Sequence, residues 1–195
     1  MHKILVLFIL SSFGLFSTCF AEEDRLSDSE HLRLKHHSYL VEKANVGDSQ
    51  AIYELAVLNL NGAEGVPKRP GMAAGLLRQA SELGHPAAQN LYATLLANGH
   101  GIAQNLTEAI RWWRASATHG NHWAEYNLGY AYSTGRGVSQ NDSEAAKWFK
   151  LAADGGIEEA AAQLGFFYLM GRGVERNQEK ASEYMRRARD LRNKR

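Results

Sequence analysis

The sequence predicts an all-α fold, an α-solenoid of four tandem helix-pair repeats of about 36 residues with a capping helix at each end. Gly84, Gly120 and Gly156 recur at a constant step of 36 residues. The triplets Gly99-His100-Gly101, Gly135-Arg136-Gly137 and Gly171-Arg172-Gly173 keep the same step, as do Asn105, Asn141 and Asn177. Between these marks, small and bulky apolar residues return in register: Ala73, Ala109, Ala145 and Ala181, each followed by Leu76-Leu77, Trp112-Trp113, Trp148-Phe149 or Tyr184-Met185. That spacing is helical, and a single helix pair cannot bury its own apolar face, so the copies must stack.

The 195 residues are 45% hydrophobic and 22% charged with a net charge of +1, which excludes a disordered or collagen-like chain. The balanced charge argues against wrapping nucleic acid by bulk electrostatics, and no nucleic-acid partner is expected. The single cysteine, Cys19, excludes an internal disulfide framework and a Cys-based zinc cluster.

Taken in order, residues 1–21 read as a secretory signal peptide: basic Lys3, an apolar run, and small Cys19 and Ala21 at the cleavage end. An uncleaved anchor fits less well, because the apolar run is shorter than the roughly 20 residues a spanning helix needs. Acylation of Cys19 fits less well too, because Phe16-Ser17-Thr18 is not a lipobox. Cleavage leaves 21 basic and 21 acidic residues, no thiol and no membrane span, and places the mature protein in the periplasm or outside the cell. Residues 22–47 hold an acidic start and a capping helix from about Ser29 to Asn45, since Tyr39-Leu40 and Gly47 keep the spacing of Trp148-Phe149 and Gly156.

The repeats are expected at 48–84, 85–120, 121–156 and 157–192, with a basic tail at 193–195. In each, a first helix (A) stops at a glycine, Gly-x-Gly turns the chain, and a second helix (B) follows. Asn105-x-x-Glu108 and Asn141-x-x-Glu144 read as capping boxes for helix B, and Pro70 occupies the first helical turn of the first copy. Ala56, Ala93, Gly129 and Gly165 share one helix A position, where small side chains let helices approach closely.

In the third copy Ala124, Leu128-Gly129, Tyr132, Gly135, Gly137-Val138, Ala145, Trp148, Ala152-Ala153 and Gly156 resemble the pattern of the Sel-one-like repeat family, kin of the tetratricopeptide repeats. The first two copies depart from it at Asn59, Leu96 and Leu76. The resemblance implies a right-handed superhelix of antiparallel helix pairs that holds another protein. Its bacterial members look like exported scaffolds or adaptors in envelope maintenance and host interaction, and some resemble periplasmic immunity proteins that neutralise a toxic effector such as a phospholipase.

Positions fixed by the repeat serve the fold, so binding residues are expected where copies differ. Trp123, Asn127, Tyr130 and Thr134 form a second helix A stripe whose counterparts vary, among them Gln163, Phe166 and Met170 in the fourth copy. Trp123, Tyr126, Asn127, Tyr130, Gln163 and Phe166 are therefore the candidate partner-binding residues on a concave face, aromatic side chains supplying most contact energy at such surfaces. Packing of Tyr130 and Phe166 between copies is the competing reading. His85, His100, His119 and His122 fall in turns without a His-Glu-x-x-His or matching carboxylate, and read as solvated rather than metal-binding. The Asn105 and Asn141 sequons coincide with helix caps, and the basic residues from Arg186 onward suit a helix C-terminus.

A peptidoglycan or β-lactam enzyme needs Ser-x-x-Lys, and no serine here has that spacing; Ser143 to Lys147 is one residue too long. A Gly-x-Ser-x-Gly elbow is likewise missing. The expectation is a monomeric, non-catalytic binding module without metal or cofactor.

Overall fold

The computed structural model describes residues 27–62 and 67–194. Among them are nine helices: α1 (Asp28–Asn45), α2 (Ser49–Asn61), α3 (Pro70–Glu82), α4 (Pro86–Asn98), α5 (Leu106–Thr118), α6 (His122–Thr134), α7 (Asp142–Asp154), α8 (Glu158–Met170) and α9 (Gln178–Arg192). A division between two compact units falls at Tyr39 and Leu40, within α1, and all the repeats belong to the second unit. The expected leader, with Cys19, lies outside the described residues. No described helix is long and apolar enough to cross a membrane.

Helices α2, α4, α6 and α8 are the A helices; α3, α5, α7 and α9 are the B helices. Each A helix packs most extensively on the B helix of its own copy, and each B helix then packs on the next A helix. Of these eight helices all but α9 are 13 residues long, so equal lengths keep the stack in register. The core is built of alanines with about one large side chain per helix: Leu77, Leu96, Leu128, Phe149, Leu164 and Phe167 are fully buried beside Ala73, Ala109 and Ala145. Helix proximity depends on the small A-helix position. A Cβ added at Gly129 would stand 2.6 Å from Cδ1 of Phe149, closer than any methyl can approach a ring.

Copies stack through the Gly-x-Gly loops. Gly137 has φ +75°, and a Cβ there would lie 2.7 Å from Cβ and 2.9 Å from the carbonyl oxygen of Leu106, the first residue of the previous B helix. The second glycine of the other two triplets repeats this seat, Gly101 against Pro70 and Gly173 against Asp142.

Asn105, Asn141 and Asn177 cap their B helices, each Oδ1 accepting from the backbone N–H three residues on, at 3.1, 3.0 and 2.9 Å. The expected capping boxes form only in this half. The backbone N–H of each Asn donates not to a glutamate but to a carbonyl of the preceding A helix, Leu96, Tyr132 or Tyr168, at 2.9 Å in all three copies. Glu108 instead accepts from the Asn105 side chain at 3.2 Å, and Glu144 pairs with Lys147. One asparagine therefore starts a helix and fastens the loop before it.

The basic last helix makes two ion pairs, Arg187 to Asp154 at 2.9 Å and Arg192 to Glu158 at 2.6 Å. One expectation is corrected here. His85 is a helix cap rather than a solvated turn residue. Its Nδ1 accepts from the Ala88 N–H at 3.1 Å, Nε2 stands 2.8 Å from Gln50 Oε1, and its ring stacks on Tyr53 at 4.8 Å between centroids. Since Nδ1 accepts, the proton of the neutral ring sits on Nε2 and is donated to Gln50.

Gly137→Ala combines a disfavoured backbone angle with a clash against Leu106, and is expected to cost about 2–4 kcal/mol. Gly120→Ala has a similar φ of +73° but open space around it, and should cost about 1 kcal/mol. Denaturant unfolding of the two variants measures the difference. Burial, opposed in part by Asp48 and Glu54, pushes the His85 pKa below its ordinary value of 6.5. The His85 contribution to stability is therefore whole above pH 6.5 and lost as pH falls from there through the lower folded value, because the unfolded chain takes the proton first. His85→Asn keeps a capping group, as Asn121 does one copy later, and is expected to flatten the fall in melting temperature between pH 7.5 and 5.5 (about two units across the imidazole range).

Candidate functional site

Hydrogen bonds between successive A helices and their following loops define one continuous face. Gln50 reaches His85, Asn127 Nδ2 donates to Asn90 Oδ1 at 3.0 Å, Arg136 donates to the Ala97 carbonyl at 3.3 Å, and Arg172 to that of Ser133 at 3.3 Å. On this face Trp123 and Tyr130 are each 44% exposed and Phe166 is 42% exposed, well above the buried consensus positions beside them. Tyr130 and Phe166 occupy equivalent places in neighbouring copies, and neither is consumed by packing between them. Gln163 is exposed on α8.

The other two candidates are placed differently. Tyr126 is half-buried between Trp123, edge-on at 6.1 Å, and the core ring of Phe149 at 5.9 Å. Burial, with smaller contributions from Glu159 and Tyr130, raises its phenol above the ordinary pKa and keeps it neutral. It braces Trp123 from below. Asn127 is half-buried and engaged with Asn90, so its amide orients α6 against α4.

A row of aromatic contacts continues inward from this point. Phe149 meets Phe167 edge-on at 5.5 Å, and the Arg172 guanidinium lies over the Phe167 ring at 4.7 Å. Arg172 also grips Asp142 with two hydrogen bonds, at 2.6 and 3.1 Å, which holds that carboxyl below its usual pKa.

Sequence reasoning missed a cleft of about 220 Å³ between the second and third copies. Leu106 and Trp113 of α5, Tyr126 and Tyr130 of α6, Asn98 at the end of α4, and Arg136 line it. Its signal lay in comparing off-consensus columns between copies. The place of Phe167 is taken one copy earlier by Ala131, and that of Asp142 by Leu106, so the ring and the carboxylate present between copies three and four are absent between copies two and three.

His122 pairs with Glu125 at 2.9 Å, and no group of three His, Cys, Asp or Glu among the described residues is placed to hold a metal ion.

Four copies of the Sel1 repeat model match this chain, at residues 49–85, 86–121, 124–157 and 158–193. The structure of c5321, a protective antigen present in uropathogenic Escherichia coli strains and displaying an SLR fold, is similar over 79% of this chain at 32% identity and a TM-score of 0.76. That similarity spans only 33% of the E. coli chain. A Sel1 repeat protein from Oxalobacter formigenes is similar over 84% of this chain and 72% of its own, at 22% identity and a TM-score of 0.76. Helicobacter pylori cysteine rich protein B is similar in fold over 69% of this chain and 96% of its own, at 20% identity and a TM-score of 0.53. Among curated proteins none matches the sequence. With four repeat matches covering most of its length, the chain belongs to the Sel1 repeat family.

Proposed function

We propose that the A-helix face is a concave surface on which this protein holds a partner protein, and that it does so outside the cytoplasm as an envelope or host-interaction adaptor. The observation that carries this reading is the exposure of Trp123, Tyr130 and Phe166 at positions the repeat leaves variable. Large rigid side chains contribute contact area at low entropic cost, and they are the residues that dominate interface energies. Tyr126 holds the Trp123 ring, Asn127 holds the α6 backbone, and exposed Gln163 supplies a hydrogen-bonding group beside Phe166. The leader read from the sequence at residues 1–21 supports export to the periplasm or beyond, and the E. coli relative described as a protective antigen supports exposure to a host. Neutralisation of a toxic effector, the role of a periplasmic immunity protein, is the narrower form of the same reading and requires one tight partner rather than several.

The purified protein, incubated with envelope extract of its own cells, is expected to retain a partner that can be identified and titrated by calorimetry. Trp123→Ala and Tyr130→Ala are each expected to weaken that complex roughly 5- to 30-fold, the range of about 1–2 kcal/mol for an interface anchor. The melting temperature of either variant should stay within about 3 °C of the parent, since both side chains stand clear of the core. A partner whose affinity neither variant changes would remove the A-helix face from the reading.

A further inference from the structure

We propose that the cleft between the second and third copies receives an acidic side chain of the partner, a glutamate or aspartate flanked by an apolar residue, with Arg136 as its counter-charge. The proposal rests on the partner-binding reading above and names the chemistry of what is bound. Internal comparison of the repeats carries it. In the fourth copy Arg172 is satisfied from within: Asp142 takes two hydrogen bonds from it, and the Phe167 ring lies beneath its guanidinium. One copy earlier Arg136 stands at the same loop position and keeps the same backbone bond, to the Ala97 carbonyl, but Leu106 replaces the aspartate and Ala131 replaces the phenylalanine. Among the described residues that carbonyl bond is the only one its guanidinium makes. A second observation points to the same place. Trp113, only 8% exposed and part of the cleft wall, keeps a buried Nε1–H with no acceptor among the described residues, whereas its counterpart Phe149 has no such donor.

The cleft therefore offers a cation with unused donors, set among the rings of Tyr126 and Tyr130 and the side chain of Leu106, with the buried, acceptor-less Trp113 N–H in its wall. Its volume of about 220 Å³ lies below the roughly 300–1,000 Å³ typical of small-molecule sites and suits one or two amino-acid side chains. A carboxylate matches a guanidinium in charge and fork geometry, and an apolar neighbour matches the walls. The missing Asp142 equivalent identifies the group to be supplied.

The probes are Ac-Leu-Glu-Phe-NH2, its glutamine counterpart Ac-Leu-Gln-Phe-NH2, and the free acid Ac-Leu-Gln-Phe-OH. The signal is the Trp113 indole N–H resonance of the intact protein, assigned by its loss in Trp113→Phe. The glutamate peptide is expected to shift that resonance saturably and to bind roughly tenfold tighter than either glutamine peptide, the scale of one charge-assisted pair. Arg136→Gln should reduce glutamate binding to the glutamine level. Leu106→Asp should do the same by closing the site internally, as Asp142 does for Arg172. Equal affinity for the three peptides, a preference for the free terminus, no saturable shift up to about 10 mM, or a glutamate preference that survives Arg136→Gln would each overturn the proposal. The peptides probe the cleft alone. If they fail while Trp123→Ala still weakens the protein partner, the cleft assignment falls and the A-helix face stands. If the glutamate preference holds while Trp123 and Tyr130 prove neutral, the face must be redrawn around the cleft.

Discussion

Everything in this solenoid depends on how closely one copy's loop can sit against the previous copy's framework. The second glycine of each Gly-x-Gly triplet lies against the first residue of the preceding B helix, so close that a Cβ would fall 2.2–2.7 Å from its nearest atom. Two requirements meet at that one position, a positive φ and the absence of a side chain, and glycine alone satisfies both. The seat fixes the distance between copies. With that distance set, an alanine-rich core becomes sufficient, because helices brought this near bury small side chains without leaving voids. The same spacing brings Gly129 against the Phe149 ring within a copy.

Polar groups lock what the glycines permit. Each Gly-x-Gly loop ends in an asparagine whose side chain starts the B helix and whose backbone N–H returns to the A helix of its own copy. A glutamate at the third helical position would compete for that N–H in a full capping box, and the loop closure prevails because it pairs a buried A-helix carbonyl as well. The first copy lacks such an asparagine, having Arg69 before Pro70, yet its Arg69 N–H still donates to Asn59 at 2.7 Å. The backbone closure is thus shared by all four copies, while the side-chain cap is an addition to three.

The periodicity that made the fold readable also limited what could be read from it. Repeated glycines, alanines and asparagines mark positions where every copy must do the same thing, and the helices and their order follow from those marks. Trp123, Tyr130 and Phe166 were legible by the complementary rule, as bulky residues in columns the repeat does not hold constant. Three features were not. His85 caps α4 only because Gln50 and Tyr53, a full copy away, hold its ring, and Tyr126 turned out to brace Trp123 because Phe149 lies behind it. The cleft depends on the ring that Ala131 does not supply and the carboxylate that Leu106 does not supply, a pair of differences that no single column displays. The first and third are relations between side chains of different copies and the second between the two helices of one copy, and spacing along the chain encodes only relations within a single helix.

A repeat scaffold of this kind separates the residues that hold its shape from those that change its surface. Between the third and fourth copies, Phe149, Phe167, Arg172 and Asp142 form a closed set in which charge is paired and the ring faces are covered. Between the second and third copies, the backbone seat of Gly137 on Leu106 and the Arg136 bond to Ala97 are unchanged, while two of the four side chains are smaller or uncharged. Because the glycine seat and the loop bonds carry the stacking, Ala131 in the place of Phe167 opens a cavity without loosening the stack. The cost falls on the side chains alone, as an arginine with most donors turned to solvent and an indole N–H without an acceptor. A buried donor left unmade is unfavourable by about 1–3 kcal/mol, a cost that the secured stack tolerates. Divergence between copies thus creates binding capacity at a junction whose geometry is already secured elsewhere.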